Sequence, residues 1–225
     1  MSDTLGPHSD AKDYAAVDGP IGTPHDAIYV YDPPLRYWHW INAGCITVLA
    51  LTGYFIGSPP PSLTGEASGH FLFGYIRFAH FTAGLLLVVA FLARIFWAFY
   101  GNFYARQIFT LPAFDKNWFK ELLFEFKWYL FLTKWPRKYI GHNPLAHLSM
   151  LFLLVLPVIF MIFTGLALYA EGLGVKSSLY VFTRAAFWLF GGSMQLHTWH
   201  HCGMWVIVTF VIIHVYTALR EEVMS

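Results

Sequence analysis

Four of the eleven histidines of this chain fall in one apolar run, HTWHHCGMWVIVTFVIIHVY, at positions 197, 200, 201 and 214. An ionisable side chain inside a membrane-length apolar segment is costly enough to mark a functional site by default. Imidazole there can ligate a metal or relay a proton. Spacing sorts the four. Helical residues advance about 100° each, so fourteen residues make four turns less about 40°, and His200 and His214 share a face. By the same arithmetic His197 lies about 100° and His201 about 140° from His214, off that face. The rise between His200 and His214 is roughly 21 Å, which puts one imidazole near each surface of a hydrocarbon core about 30 Å thick. That is the geometry for two cofactors stacked across a bilayer.

The elements that carry these residues follow from composition. Of 225 residues, 57% are hydrophobic and 20% aromatic, and only 12% are charged, with a mean hydropathy of +0.50. Soluble domains carry about a quarter charged residues. Four apolar runs reach the roughly 20 residues needed to cross a bilayer, at about 38–57, 72–99, 145–169 and 197–219. The expected fold is therefore an all-α integral membrane bundle of four transmembrane helices, residues 35–225, behind a polar tail at 1–34 expected to be unstructured and cytoplasmic. The tail shows no basic-then-apolar pattern of a cleaved signal. WFKELLFEFKWYLFL (118–132) and SLYVFTRAAFWLF (178–190) read as further helices, lying either at the membrane interface or against protein.

Orientation comes from the loops. The segment 57–71 has no Lys or Arg, whereas 101–143 has seven, and the segment 170–194 has two. Basic residues mark the cytoplasmic side, so both termini and the middle loop are expected inside a bacterial inner membrane. Span one then enters from inside with His39 level with His214, and span two enters from outside with His80 level with His200. Two depth-matched pairs result, His80/His200 outside and His39/His214 inside. Each pair can fill both axial positions of a haem iron, which leaves no open coordination site and suits electron transfer. Burial keeps imidazole neutral, the form that binds iron. Two non-covalent haem b groups are the expected cofactors.

The remaining candidates divide by position. His147 opens span three on the inner side and reads as an interface or propionate contact rather than a ligand. Arg94 either snorkels to the inner surface or neutralises a haem propionate; Arg36 and Arg77 are further propionate candidates, one on each side. His8, His25, His70 and His142 lie in the tail or loops and read as solvated. Two echoes appear: His80 precedes Arg94 by fourteen residues as His200 precedes His214, and spans one and three each carry a Thr-Gly pair, Thr52-Gly53 and Thr164-Gly165. Cys45 and Cys202 form no CxxCH motif and no iron–sulfur cluster set. A net charge of +1 gives no sign of a nucleic-acid partner.

RYWHWINAGCITVLALTG (36–53) and HTWHHCGMWVIVTFVIIH (197–214) resemble the two signatures of the cytochrome b subunit of membrane-bound nickel–iron uptake hydrogenases. YIRFAH (75–80) and YIGHNPLAH (139–147) are also similar, so the resemblance covers about 30–224. It implies haem-ligand roles for His200 and His214. It also implies periplasmic partners, the hydrogenase small iron–sulfur and large nickel–iron subunits, and transfer of electrons through the outer and then the inner haem to quinone. The chain has no hydrogen-activating metal ligands of its own. The same plan resembles the gamma subunit of formate dehydrogenase, which leaves the electron donor open. A membrane di-iron hydroxylase would use HTWHH as an HxxHH box, but no HxxxH occurs outside that box to complete such a site. A transporter would show paired Gly/Pro interruptions, whereas Pro157 alone interrupts a span.

Overall fold

A computed structural model describes residues 31–61, 69–112, 115–135, 137, 139 and 142–224. The polar tail through residue 30, with His8 and His25, lies outside the described residues. Helix α1 spans Pro33–Gly57 and α2 Leu72–Tyr100. Short α3 (Phe103–Arg106) and a 3₁₀ turn, Gln107–Phe109, lead to α4 (Lys116–Tyr129). Helix α5 (Pro144–Ser149) continues through a π-helical segment, Met150–Val155, into α6 (Leu156–Leu173). Helix α7 (Tyr180–Phe190) and the long α8 (Ser193–Met224) complete the chain. Among the described residues there is no strand, and four helical stretches are long and apolar enough to cross a membrane: Pro33–Gly57, Leu72–Tyr100, Pro144–Leu173 and Ser193–Arg220.

Local chemistry sets the ends. Helix α1 begins at a Pro-Pro pair, whose missing N–H groups cost nothing in the first turn. Asn143 caps α5 by accepting the Ala146 N–H at 2.7 Å, again ahead of a proline. Pro157 does not end the third span. It lacks the N–H that would bond back along the helix, and the preceding turn widens to π spacing, with the Leu156 N–H reaching the Leu151 carbonyl. The span runs on to Leu173.

Helices α1 and α2 pack on each other, α6 packs on α7 and α8, and α8 closes back against α1. The central cluster gathers Cys45, Leu87, Phe91, Val158, Ile207 and Phe210. Gly203 lets α8 approach α6: a Cβ there would meet Met161 Sδ at 2.6 Å. Rows of exposed apolar side chains, such as Leu85, Leu92 and Phe99 on α2, face outward as a lipid-bathed surface requires.

Both amphipathic segments are helical. Helix α4 buries Trp118, Glu125 and Trp128 against protein and exposes Phe119, Leu123 and Phe126, so it packs on one side and offers an apolar face on the other. It ends at Tyr129, short of the expected 132. Phe131 adopts a left-handed φ of 61°, while Leu132 N–H bonds Lys127 O and Phe131 N–H bonds Trp128 O, a helix-ending Schellman turn. Arg220 of α8 lies over the rings of Trp128 and Phe131 and donates to the Trp128 carbonyl, fixing that corner. Helix α7 is pinned to α6 by Thr183, whose buried hydroxyl donates to Ala167 O at 2.7 Å.

Candidate functional site

The four intramembrane histidines meet in two pairs. His80 of α2 faces His200 of α8 with ring centres 6.4 Å apart and planes inclined at 73°. His39 of α1 faces His214 of α8 with ring centres 6.2 Å apart and planes at 53°. One face of α8 thus presents His200 to α2 and His214 to α1, as the fourteen-residue spacing predicts. His197 and His201 point elsewhere. His197 Nδ1 sits 2.9 Å from Ser193 O, and His201 Nε2 accepts the Trp205 indole N–H at 3.2 Å. Among the described residues no group of three or more His, Cys, Asp or Glu side chains converges as a non-haem metal site.

The separations can be tested against a bis-imidazole metal centre. Metal–imidazole bonds of about 2 Å, with ring centres roughly 1.1 Å behind the nitrogens, put the two rings about 6.2 Å apart. Rings that instead stack or pack edge to face on each other span about 4.5–7 Å, so the separation admits a metal between the rings without by itself requiring one. Both pairs fit the metal-spanning distance. The donor set, two imidazoles with no carboxylate or thiolate beside them, suits a haem iron.

Around the His80/His200 pair each imidazole is held by a threonine. Thr52 Oγ1 lies 2.9 Å from His80 Nδ1, and Thr164 Oγ1 lies 2.8 Å from His200 Nδ1. Each hydroxyl donates to a carbonyl of its own helix, Val48 O at 2.6 Å and Phe160 O at 2.8 Å. The next residue in each case is glycine, and a Cβ there would come within 3.2 Å of His80 Cε1 at Gly53 and 3.3 Å of His200 Cε1 at Gly165. Around the His39/His214 pair the neighbours are aromatic. Phe210 stacks on His214 at 5.6 Å with planes 15° apart, and Trp40 meets His39 edge-on at 5.2 Å.

Arg94 does not snorkel to the surface. It is 3% exposed, one Nη donates to Ala105 O at 2.6 Å, and its guanidinium lies over Trp38 and Phe109. Its fourteen-residue offset from His80 turns it into the bundle instead of towards water. The Nε and other Nη find no partner among the described residues. Arg36 and Arg77 are exposed. His147 is fully buried and meets Trp118 edge to face at 6.4 Å.

His142 is not a solvated loop residue. The loop folds back so that the ring lies 3.2 Å from Tyr31 Oη and 3.3 Å from Gln107 Oε1. Burial, with His147, Arg94 and His214 nearby, pushes its pKa down to about 4. Nothing in local polarity signals this burial; only the tertiary path of the middle loop does.

The family model for prokaryotic cytochrome b561 matches residues 30–225. The chain belongs to the prokaryotic cytochrome b561 family. It is a multi-pass membrane b-type cytochrome, and its cofactor is haem b. It is similar to proteins named "Probable Ni/Fe-hydrogenase B-type cytochrome subunit" from several bacteria. Identity to the one from Azotobacter vinelandii is 54% over 202 residues, covering 88% of this chain and 83% of that protein. Identity to the one from Bradyrhizobium diazoefficiens is 49% over 232 residues, covering 100% of this chain and 93% of the relative. The Escherichia coli K12 relative, a "Probable Ni/Fe-hydrogenase 1 B-type cytochrome subunit", is 48% identical over 199 residues, with 88% and 84% covered.

Proposed function

We propose that this cytochrome is the membrane subunit of a nickel–iron hydrogenase, that it binds two haem b groups, and that it passes electrons from the hydrogenase to quinone. The observation that carries the reading is the pair of histidine pairs, each at a metal-spanning separation. His80 and His200 would hold one haem, and His39 and His214 the other. Haem b supplies a reversible one-electron carrier at each place. The chain's own residues fill both axial positions, exclude water from the bundle and set the distance between the two sites.

Basic-loop asymmetry supports placing both termini and the 101–143 loop on the cytoplasmic side of an inner membrane. The His80/His200 pair then faces the periplasm, where the iron–sulfur subunit of the hydrogenase heterodimer would dock. The names of the relatives support that partner. Quinone would be reduced beside the inner pair. That end holds buried donors without protein partners among the described residues, Gln107 Nε2 and Trp118 Nε1 as well as Arg94. Arg94, a buried cation with unsatisfied donors, is suited to a haem propionate, and Arg36 and Arg77 are candidates at the two surfaces.

The test is spectral. The chain, purified with its native partners, is expected to show low-spin haem absorption, two haems per chain, and reduction by hydrogen. Reduction by formate but not by hydrogen would overturn the assigned donor, and fewer than two haems in a fully loaded preparation would overturn the two-centre reading.

A further inference from the structure

The outer histidines share a bracket the inner ones lack, and its hydrogen-bond direction can be read from donor counting. A threonine hydroxyl has one proton. In Thr52 that proton goes to Val48 O, and in Thr164 to Phe160 O. The oxygen left at 2.9 Å from His80 Nδ1 and 2.8 Å from His200 Nδ1 therefore accepts, and each imidazole donates from Nδ1–H. That selects one tautomer. Nε2 keeps its lone pair, as ligation requires. The adjoining glycines complete the bracket. Gly53 and Gly165 leave room for each ring: a Cβ at either position would stand 3.2–3.3 Å from the facing Cε1, tighter than an alanine side chain comfortably allows. Both brackets recur with the same parts on helices α1 and α6, which do not follow one another in the chain.

We propose that Thr52-Gly53 and Thr164-Gly165 are paired positioning elements that lock the Nδ1–H tautomer of His80 and His200 and hold the outer haem at a lower reduction potential than the inner one. The proposal rests on the reading that these histidines ligate haem. An Nδ1–H donated to an oxygen makes the imidazole a more basic ligand, and a more basic ligand favours the oxidised iron. Among the described residues neither His39 nor His214 receives such a side-chain bond; aromatic rings position them instead. The asymmetry points the same way as the electron flow proposed above, from the outer centre to the inner.

Thr52→Val and Thr164→Val, singly and together, remove the acceptor while keeping the shape. Their effect is read by redox titration of the purified complex and by low-temperature EPR of the two low-spin signals. The expected result is an upward shift of one midpoint potential, larger in the double variant, with the other midpoint unchanged and Thr→Ser restoring the original value. Gly165→Ala gives a second route: crowding of His200 Cε1 should alter the same EPR signal and leave the other alone. Unshifted potentials and signals in fully loaded Val variants would overturn the proposal, as would equal shifts of both centres. Failure of the underlying ligand reading looks different, since His80→Ala or His200→Ala would then retain both haems.

Discussion

The His80/His200 and His39/His214 pairs have nearly the same separation, 6.4 and 6.2 Å, yet they are built by different means. At His80 and His200 each ring is fixed through its edge, by a threonine oxygen on Nδ1 and a glycine against Cε1. At His39 and His214 the rings are fixed through faces and edges of Phe210 and Trp40, and the buried Arg94 guanidinium packs on Trp38, the residue before His39. A hydrogen bond sets tautomer and basicity, whereas an aromatic contact sets orientation alone. One fold thus offers two similar distances with different electronic surroundings. Under the two-haem proposal, that difference would set the potentials of the two centres apart.

The largest expected effect comes from deleting a ligand. His200→Ala should lose the outer haem and hydrogen-dependent quinone reduction should fall to background, while the inner haem spectrum persists. His214→Ala should do the reverse spectrally. Loss of both haems from either single variant, in a chain still present in membranes, would break the comparison. Next is Arg94→Met, which keeps much of the volume but removes the charge. A nearby cation favours the reduced iron, so the inner midpoint potential should fall while the outer one holds. The lost charge-assisted bond to Ala105 O should also cost about 1.5–3 kcal/mol of stability. Potentiometry combined with thermal denaturation separates the two effects.

A smaller effect is expected at the α6–α8 contact. Gly203→Ala drives a Cβ into Met161 Sδ and Phe160, and overpacking of this kind costs about 1–3 kcal/mol. Gly203 lies one turn from His200, so the outer EPR signal should broaden before the inner one does. The smallest effect is a pH dependence at the inner end. The half-buried His142 ring has a pKa pushed down to about 4 from an ordinary value of 6.5. Between those values the unfolded chain binds more protons than the folded one, so stability should fall as pH drops from about 6.5 to about 4 and then level off. His142→Gln should flatten that slope in pH-dependent melting curves, and the outer pair should not respond.

Much of this architecture is legible in the sequence because lipid imposes simple arithmetic. Twenty apolar residues make a span, fourteen residues bring His200 and His214 to one face, and loop charge orders the depths that pair them with His80 and His39. What is hard to read depends on packing between elements distant in sequence. His142 sits in a polar loop, and only its packing onto Gln107 and Tyr31 half-buries it. Arg94 at a span's inner end invites a snorkelling reading, although its spacing from His80 already turns it inward. The repeated Thr-Gly pair is visible, but two residues are too few to carry meaning until each hydroxyl is found beside a histidine of another helix. Pro157 is legible as an interruption, and the π segment that absorbs it is not.

The central claim is the pairing itself, and haem counting across double variants tests it most directly. If His80 and His200 hold one haem and His39 and His214 the other, His80→Ala with His200→Ala should leave one haem per chain, no fewer than either single variant. His80→Ala with His39→Ala should leave none. A within-pair double variant that loses both haems, or a cross-pair double variant that keeps one, would contradict the account.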